Sequence, residues 1–318
     1  MRRKGSKDDG EFDVSIAVGI PVFKRTEALR QCLHSISGDV VDRVIIADDG
    51  CTKNRHSLYS QDRDFEQTVI DIDYDSGAGV CRSAISEELQ EDYLLVIDCD
   101  MALPVTKDVL TLIAVLESQS HLGAVSGILA EGNRIRSGCT NFYEESLLFG
   151  GRALIESIRK KPHIEWINDS IPIALFDKLP NAALIRRECI EEYSWDPKYP
   201  IGEHVDFYIG HYHKTAWDFA VVPTIVFNHQ KKVNMNYRSS IRSDSDRHQR
   251  NIRLANRIGQ KKWGYDRIVS GGKKEWFDTA EPSMLNASCQ LLSQRIPIKY
   301  LLPIKDLVRH IRSIFSNY

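Results

Sequence analysis

The sequence predicts an α/β fold, a mostly parallel sheet with helices on both faces. Three observations carry this. Strand and helix signals alternate from residue 13 to about 130, which is the rhythm of βαβ units. The run Leu94-Leu95-Val96-Ile97 is continuously apolar, as a strand buried on both faces requires. That run ends on Asp98-Cys99-Asp100, and the carboxyl ends of strands are where open α/β sheets bind ligands.

Taken in order, Val14 to Ile20 reads as the first strand and Glu27 to Ile36 as the first helix. Val41 to Ala47 and Thr68 to Ile72 are the next strands, and Ala78 to Leu89 is helical. Tyr93 to Ile97 is the strand before the carboxylates, Lys107 to Ser118 is a helix, and Gly123 to Leu129 closes the series. Asn133 to Gly151 is polar and turn-rich, suited to loops or a short ribbon over a cleft. Pro180 to Glu192 returns to strand then helix, Phe219 to Phe227 is one more apolar strand, and Arg238 to Gln260 is an Arg-rich helical stretch. At the end, Leu301, Leu302, Ile304, Leu307, Val308, Ile311 and Phe315 recur at helical spacing, interleaved by Lys299, Lys305, Arg309 and Arg312. Such a basic amphipathic helix suits either an anionic membrane surface or docking on its own domain. The expected division is a mobile tail at 1–12, a domain at 13–265 and a basic helical extension at 266–318. Within the domain, a nucleotide-binding half spans about 13–130 and an acceptor half about 131–230.

Composition narrows the function classes. A chain of 318 residues with 42% hydrophobic and 27% charged content is ordinary for a globular protein. Its net charge of −2 argues against a nucleic-acid binder. The seven cysteines are scattered and form no C-x-x-C pair, so reduced thiols in a cytoplasmic setting are expected rather than a disulfide frame or zinc site. The first ten residues are charged with no apolar segment behind them, so no secretory signal is expected. No apolar run approaches the roughly 18 residues that span a bilayer.

Two carboxylates one residue apart repel unless a cation lies between them. Asp98 and Asp100 therefore read as a site for a divalent metal with oxygen ligands, carrying phosphate on its far side. Gly19-Ile20-Pro21-Val22-Phe23-Lys24-Arg25 leaves the first strand through a proline and meets a helix, a place that can receive a nucleotide's base and phosphates. Ile46-Ala47-Asp48-Asp49-Gly50 sets a carboxylate where it can accept a hydrogen bond from a base N–H, although Asp-Asp-Gly alone is a turn signal. In Ser76-Gly77-Ala78-Gly79-Val80-Cys81-Arg82 the glycines permit close backbone approach, and Arg82 can reach a phosphate or carboxylate.

Those four segments, in that order, resemble family 2 of the GT-A glycosyltransferases, inverting enzymes that use nucleotide sugars. The likeness covers residues 13 to about 230. Lys24 stands where Asn is usual, Cys51 where Ser is common after Asp-Asp-Gly, and the Asn that normally follows Ala-Arg is missing near Arg82. The resemblance implies that Pro21, Val22, Phe23, Arg25, Asp48, Asp49, Gly79, Arg82 and Asp98 bind the nucleotide sugar. Asp98 and Asp100 would hold Mn²⁺ or Mg²⁺, with His229, at the end of Val222 to Asn228, completing the shell. Gly202-Glu203-His204-Val205-Asp206-Phe207 is similar to the family's acidic acceptor-site segment, where a base takes the acceptor's proton. His204 replaces the Asp that often serves as that base, which leaves Asp206, His204 and Glu203, with Asp206 favoured. Lys231, Lys232 and Arg238 would cover the diphosphate as a lid.

The implied activity is metal-dependent transfer of a sugar, from a donor expected to be UDP-linked, to a glycan, lipid-linked or other hydroxyl acceptor with inversion. Two rivals stand beside it. A nucleotidyltransferase shares the acidic sheet edge but normally carries glycines after its first strand, which Pro21 to Arg25 lacks. A non-catalytic GT-A-like binding protein is kept open by His204.

Overall fold

Continuously apolar strands need cover on both faces, and the order in which they pair decides where their ends collect. The computed structural model describes residues 14–132, 134–147, 150–159, 162–230 and 245–270. The expected tail at 1–12, the lid residues Lys231, Lys232 and Arg238, and the terminal basic helix lie outside the described residues.

The chain begins β1 (Ile16–Val22), α1 (Thr26–His34), β2 (Arg43–Asp48), α2 (His56–Tyr59), β3 (Glu66–Asp71), α3 (Ala78–Glu88) and β4 (Tyr93–Val96). It continues through β5 (Met101–Ala102), α4 (Thr106–Ser118), β6 (Leu122–Glu131), β7 (Arg134–Arg136), β8 (Asn141–Ser146) and β9 (Arg152–Ser157). Then come β10 (Ile164–Ile167), β11 (Ile171–Leu175), β12 (Ala183–Arg186), α5 (Arg187–Glu192), α6 (Glu203–Lys214), β13 (Asp218–His229), α7 (Ser245–Trp263) and β14 (Arg267–Ser270).

The main sheet runs β10-β11-β13-β6-β12-β4-β1-β2-β3, with β5 on β13 and β7 on β6. β2 and β4 flank β1 in parallel and β3 is parallel to β2. β12 is antiparallel to both β4 and β6, so β6 recovers the direction of β4, and β13 runs parallel to β6. β3, β2, β1, β4, β6 and β13 therefore point one way, and their carboxyl ends share one edge. Strand character follows position. β4 and β2 are buried throughout, whereas β3, at the sheet's end, has exposed Glu66 and Asp71 at its termini.

The order reverses beside β1: the chain first adds β2 and β3 on one side, then β4 on the other. That is a topological switch point, with a crevice beyond the ends of β1 and β4. β4 pairs with β1 only as far as Gly19↔Val96. Pro21 thus lies past the end of that ladder, where a missing N–H costs nothing.

Two apolar layers cover the sheet, one around Leu29, Leu112 and Leu116, the other around Ile85, Phe207 and Tyr208. A second, three-stranded sheet, β14-β9-β8, lies outside this frame. The sequence reading missed β9, β10 and β14, whose short runs mix polar with apolar residues, and β11, a five-residue apolar run carrying a proline. β14 also lies past the expected boundary at 265, and it pairs in parallel with β9. None of the six cysteines among the described residues is in a disulfide. No helix among those residues is long and apolar enough to cross a membrane.

His211, on α6, sits among Tyr193, Phe207 and Phe219 with 1% exposure. Burial lowers its pKa from 6.5 to about 4. The unfolded chain takes up this proton near 6.5 and the native one only near 4, so the stabilisation is complete above 6.5 and is lost as pH falls toward 4. The expected loss is about 3 kcal/mol over that window. Urea unfolding at several pH values should show it, and His211→Gln should reduce the slope between pH 6.5 and 4, leaving the share of the buried His204. An unchanged slope would exclude this assignment.

Candidate active site

At the mouth of the crevice, Val22 is 1% exposed and its side chain belongs to the core. Its carbonyl accepts the Asp49 N–H at 3.1 Å. Pro21 and Phe23 are half-buried. Phe23 lies 5.6 Å from the ring of Tyr74, which is 60% exposed, and the Lys24 ammonium sits 4.9 Å from the centre of the Tyr74 ring. Together they give the crevice an aromatic wall that the sequence reading did not include.

The two aspartates at the end of β2 have different jobs. Asp48 is wholly buried, both oxygens 2.8 Å from Arg55 Nη1, with further bonds donated by the Tyr59 hydroxyl at 2.6 Å and the Gly50 N–H at 2.9 Å. This carboxylate holds the turn and does not face the crevice. Asp49 Oδ2 accepts the Gly77 N–H at 2.9 Å, tying the β2 turn to the start of α3. Burial raises the Asp49 pKa, against the lowering effect of that bond.

Gly79 was expected to admit a ligand. A Cβ there would stand 2.3 Å from the Tyr199 carbonyl oxygen and 2.9 Å from that of Asp196. The room it makes is filled by the chain's own 196–199 loop. Arg82, one turn along α3 and 2% exposed, donates to Glu203 through Nη1 and to Asp98 Oδ1 at 2.9 Å through Nη2. The other oxygen of Asp98 accepts from Asn181 at 3.2 Å.

Asp100 and His229 meet because β5 pairs antiparallel with the end of β13, His229 opposite Met101, while the Gln230 N–H donates to the Asp100 carbonyl at 2.7 Å. His229 Nε2 is 3.3 Å from Asp100 Oδ2, which also receives Arg25. Parallel pairing of β13 with β6 sets His229 beside Glu131, whose Oε1 lies 3.0 Å from Nδ1. Burial opposes charge on both groups. For Asp100 the His229 hydrogen bond and the Arg25 charge outweigh it and lower the pKa; for His229 the two carboxylates outweigh it and raise the pKa.

Tested as a metal site, this set fits in part. A carboxylate oxygen and an imidazole suit Mn²⁺, and a carboxylate on Nδ1 is the partner that turns Nε2 toward a metal. Asp98 faces Arg82 and Asn181 instead of joining them, and no three His, Cys, Asp or Glu side chains among the described residues are gathered as a metal cluster. Asp100 and His229 would hold a metal only as a pair, in place of the contact Asp100 makes here with Arg25.

The three base candidates face different ways. His204 Nε2–H donates to the Leu179 carbonyl at 2.9 Å and its ring packs edge-on against Tyr208. Burial, then the charges of Arg82 and Lys178, push its pKa well below 6.5. Asp206 is held on every side: Oδ1 accepts the Trp263 indole N–H at 2.8 Å, and Oδ2 accepts Lys262 Nζ at 2.8 Å and the Tyr193 hydroxyl at 3.0 Å. With 2% exposure it is fully engaged by α7 and α5's end. Glu203 alone is joined, through Arg82, to Asp98. The sequence reading missed Asn181, Glu131, Tyr74 and Arg55; only their register against distant strands and turns reveals them.

The family model described as Glycosyl transferase family 2 matches residues 17–193. No curated protein matches the chain. Among solved structures, it is similar to the mannosyltransferase PcManGT from Pyrobaculum calidifontis in complex with GDP-Man and Mn²⁺, at 11% identity and TM-score 0.51, covering 91% of this chain and 73% of that one. It is also similar to residues 1–349 of S. aureus TarS (12%, TM-score 0.45, covering 79% and 72%). A further likeness is to GalNAc-T7 with UDP, GalNAc and Mn²⁺ (14%, TM-score 0.46, covering 68% and 44%).

Arg55→Met should strand the buried Asp48 carboxylate and cost about 3–5 kcal/mol of folding stability. Asp48→Asn in the same chain should recover part of that. Denaturant unfolding of the single and double variants checks this, and a loss below 1 kcal/mol would contradict it.

Proposed function

Because the chain belongs to glycosyl transferase family 2, we propose that it moves a sugar from a nucleotide-sugar donor to an acceptor hydroxyl with inversion. Its fold is GT-A. One observation carries the reading: Asp100 and His229, 3.3 Å apart, lie on the same sheet edge as Asp98, which Arg82 joins to Glu203 of the acceptor half.

In this reading Phe23 and Tyr74 flank the base, Asp49 accepts a base N–H, and Asp98 receives the ribose or metal. Arg25 and Arg82 face the phosphates, which replace part of their present contacts. Asp100 and His229 hold Mn²⁺ or Mg²⁺. The bound ion supplies Lewis-acid stabilisation of the charge that develops on the departing nucleoside diphosphate. The PcManGT complex with GDP-Man and Mn²⁺ supports this choice of ion.

Glu203 replaces Asp206 as our choice of base. An acceptor hydroxyl attacks the anomeric carbon from the face opposite the leaving diphosphate, and Glu203 takes its proton during attack. Arg82, shared between Glu203 and Asp98, links the acceptor and donor sides. A single displacement with one base inverts the anomeric centre. The donor is expected to be a UDP-linked hexose or N-acetylhexosamine, on the resemblance to the family, and the acceptor a glycan or lipid-linked hydroxyl in glycan or polysaccharide assembly.

A panel of UDP-glucose, UDP-galactose, UDP-N-acetylglucosamine and GDP-mannose, each with Mn²⁺, tests the class. Release of nucleoside diphosphate is expected, whereas release of pyrophosphate from a nucleoside triphosphate with a sugar phosphate would favour nucleotidyl transfer. Glu203→Gln should lower kcat by about 10²–10⁴-fold while Mn²⁺-UDP still raises Tm. Asp100→Ala should abolish that Mn²⁺-dependent rise. A Glu203→Gln enzyme with full turnover would exclude this base, and an Asp100→Ala enzyme with unchanged Mn²⁺-UDP stabilisation would exclude the metal assignment.

A further inference from the structure

We propose that α7 is a positioning element for the catalytic carboxylate: Lys262 and Trp263, through Asp196 and Asp206, fix the 196–202 turn and the first turn of α6 so that Glu203 meets Arg82. The inference rests on the reading of Glu203 as base and goes beyond it, because it assigns a role to a helix that carries none of the residues placed around the donor.

Glu203 is the first residue of α6, and Gly202 before it takes φ +83°, a left-handed conformation that only glycine adopts cheaply. Such a start has no stiffness of its own and depends on what grips the turn. Two elements do. From one side, α3 presses on it: a Cβ at Gly77 would lie 2.7 Å from the Pro200 carbonyl oxygen, and one at Gly79 2.3 Å from that of Tyr199. From the other side comes α7, where a Cβ on Gly259 would stand 3.4 Å from the Tyr199 hydroxyl and one on Gly202 would stand 3.9 Å from the Ala255 methyl.

The last turn of α7 supplies the charge. Lys262 Nζ lies 2.7 Å from Asp196 Oδ2 and 2.8 Å from Asp206 Oδ2, bridging the start of the turn to the first helical turn beyond it. The Trp263 indole takes the other Asp206 oxygen at 2.8 Å. The Asp206 side chain is 1% exposed and that of Asp196 is 19% exposed, so neither can rely on water alone for its charge. Burial opposes charge on Lys262, yet the two aspartates outweigh it and hold the ammonium firmly protonated. Without Lys262, Asp206 loses its counter-ion and the turn loses its link to α7. Glu203 would then be free to shift against an acceptor, and a misplacement of about 1 Å can cost about 100-fold in rate.

The test uses the full chain carrying Lys262→Met, Lys262→Arg, Trp263→Phe or, as a control on the exposed face of α7, Arg253→Ala. Hydrogen exchange of peptides covering 196–206 and turnover with the four nucleotide sugars above are measured together. Lys262→Met should speed exchange in that segment while leaving β1 and β4 protected. It should also lower kcat about 100-fold with donor KM within about twofold of the parent. Lys262→Arg should restore both to within severalfold, Trp263→Phe should fall between, and Arg253→Ala should match the parent. In a Glu203→Gln background, Lys262→Met should add no further loss, because both act on one group. An additive loss, unchanged exchange at 196–206, or a raised KM in place of a lowered kcat would overturn the proposal. Full turnover by Glu203→Gln would instead remove the base reading, and the exchange pattern would then decide alone whether α7 grips the turn.

Discussion

Everything at the functional edge depends on pairing carboxylates with cations in a partly desolvated crevice. Asp98, Asp100, Glu131 and Glu203 crowd the ends of β4, β6 and α6, and their mutual repulsion would be severe without partners. The chain answers with two linked series. Glu203 faces Arg82, which faces Asp98. Arg25 faces Asp100, which faces His229, then Glu131, then Arg136. Each series alternates in sign, so the edge is held by contacts that a phosphate-bearing, cation-carrying ligand can exchange for its own. Buried pairs of this kind add little net stability compared with apolar packing. Their presence at a strand-end crevice is better explained by ligand chemistry than by folding.

Topology brings these groups together. The reversal of strand order beside β1 opens the crevice, and the early end of β4 leaves Pro21 and the following loop free of the ladder. Two registers then finish the site: His229 opposite Met101 on β5, and His229 opposite Glu131 on β6. A shift of one residue in either would turn the imidazole away from both carboxylates, since side chains alternate between sheet faces. The irregularity in β13 between Val221 and Val226, around Pro223, sets which register the last four residues adopt.

The parallel strands and their helices were legible in the sequence because runs such as Leu94 to Ile97 are apolar without interruption and end on turn residues. The aspartates of the edge were legible for the same reason: they interrupt those runs. Roles within the edge were less so. Asp48 and Asp49 are adjacent and chemically alike, yet Arg55 and Tyr59 bury one and leave the other at the start of α3. Asp206 was favoured as base because it is a carboxylate near the expected position, and its residue type says nothing of Lys262 and Trp263, which come from 56 and 57 residues away. Gly79 carried a similar ambiguity, since the need for a bare backbone does not reveal whether a ligand or a loop of the same chain fills the space. Short elements, β9, β10 and β14 of mixed polarity and β11 apolar but interrupted by Pro172, gave no periodic signal long enough to read.

The GT-A frame thus explains where a donor would enter, and the pairing of charges explains how an acidic edge stays folded before it does. The most direct measurement is anomalous diffraction from crystals of the chain grown with Mn²⁺ and UDP, collected on either side of the manganese absorption edge. The account predicts one strong peak within bonding distance of Asp100 and His229, with diphosphate oxygens completing its shell and the uracil beside Phe23 and Tyr74. A manganese peak elsewhere, with that pair still closed upon Arg25 and UDP bound away from the crevice, would contradict it.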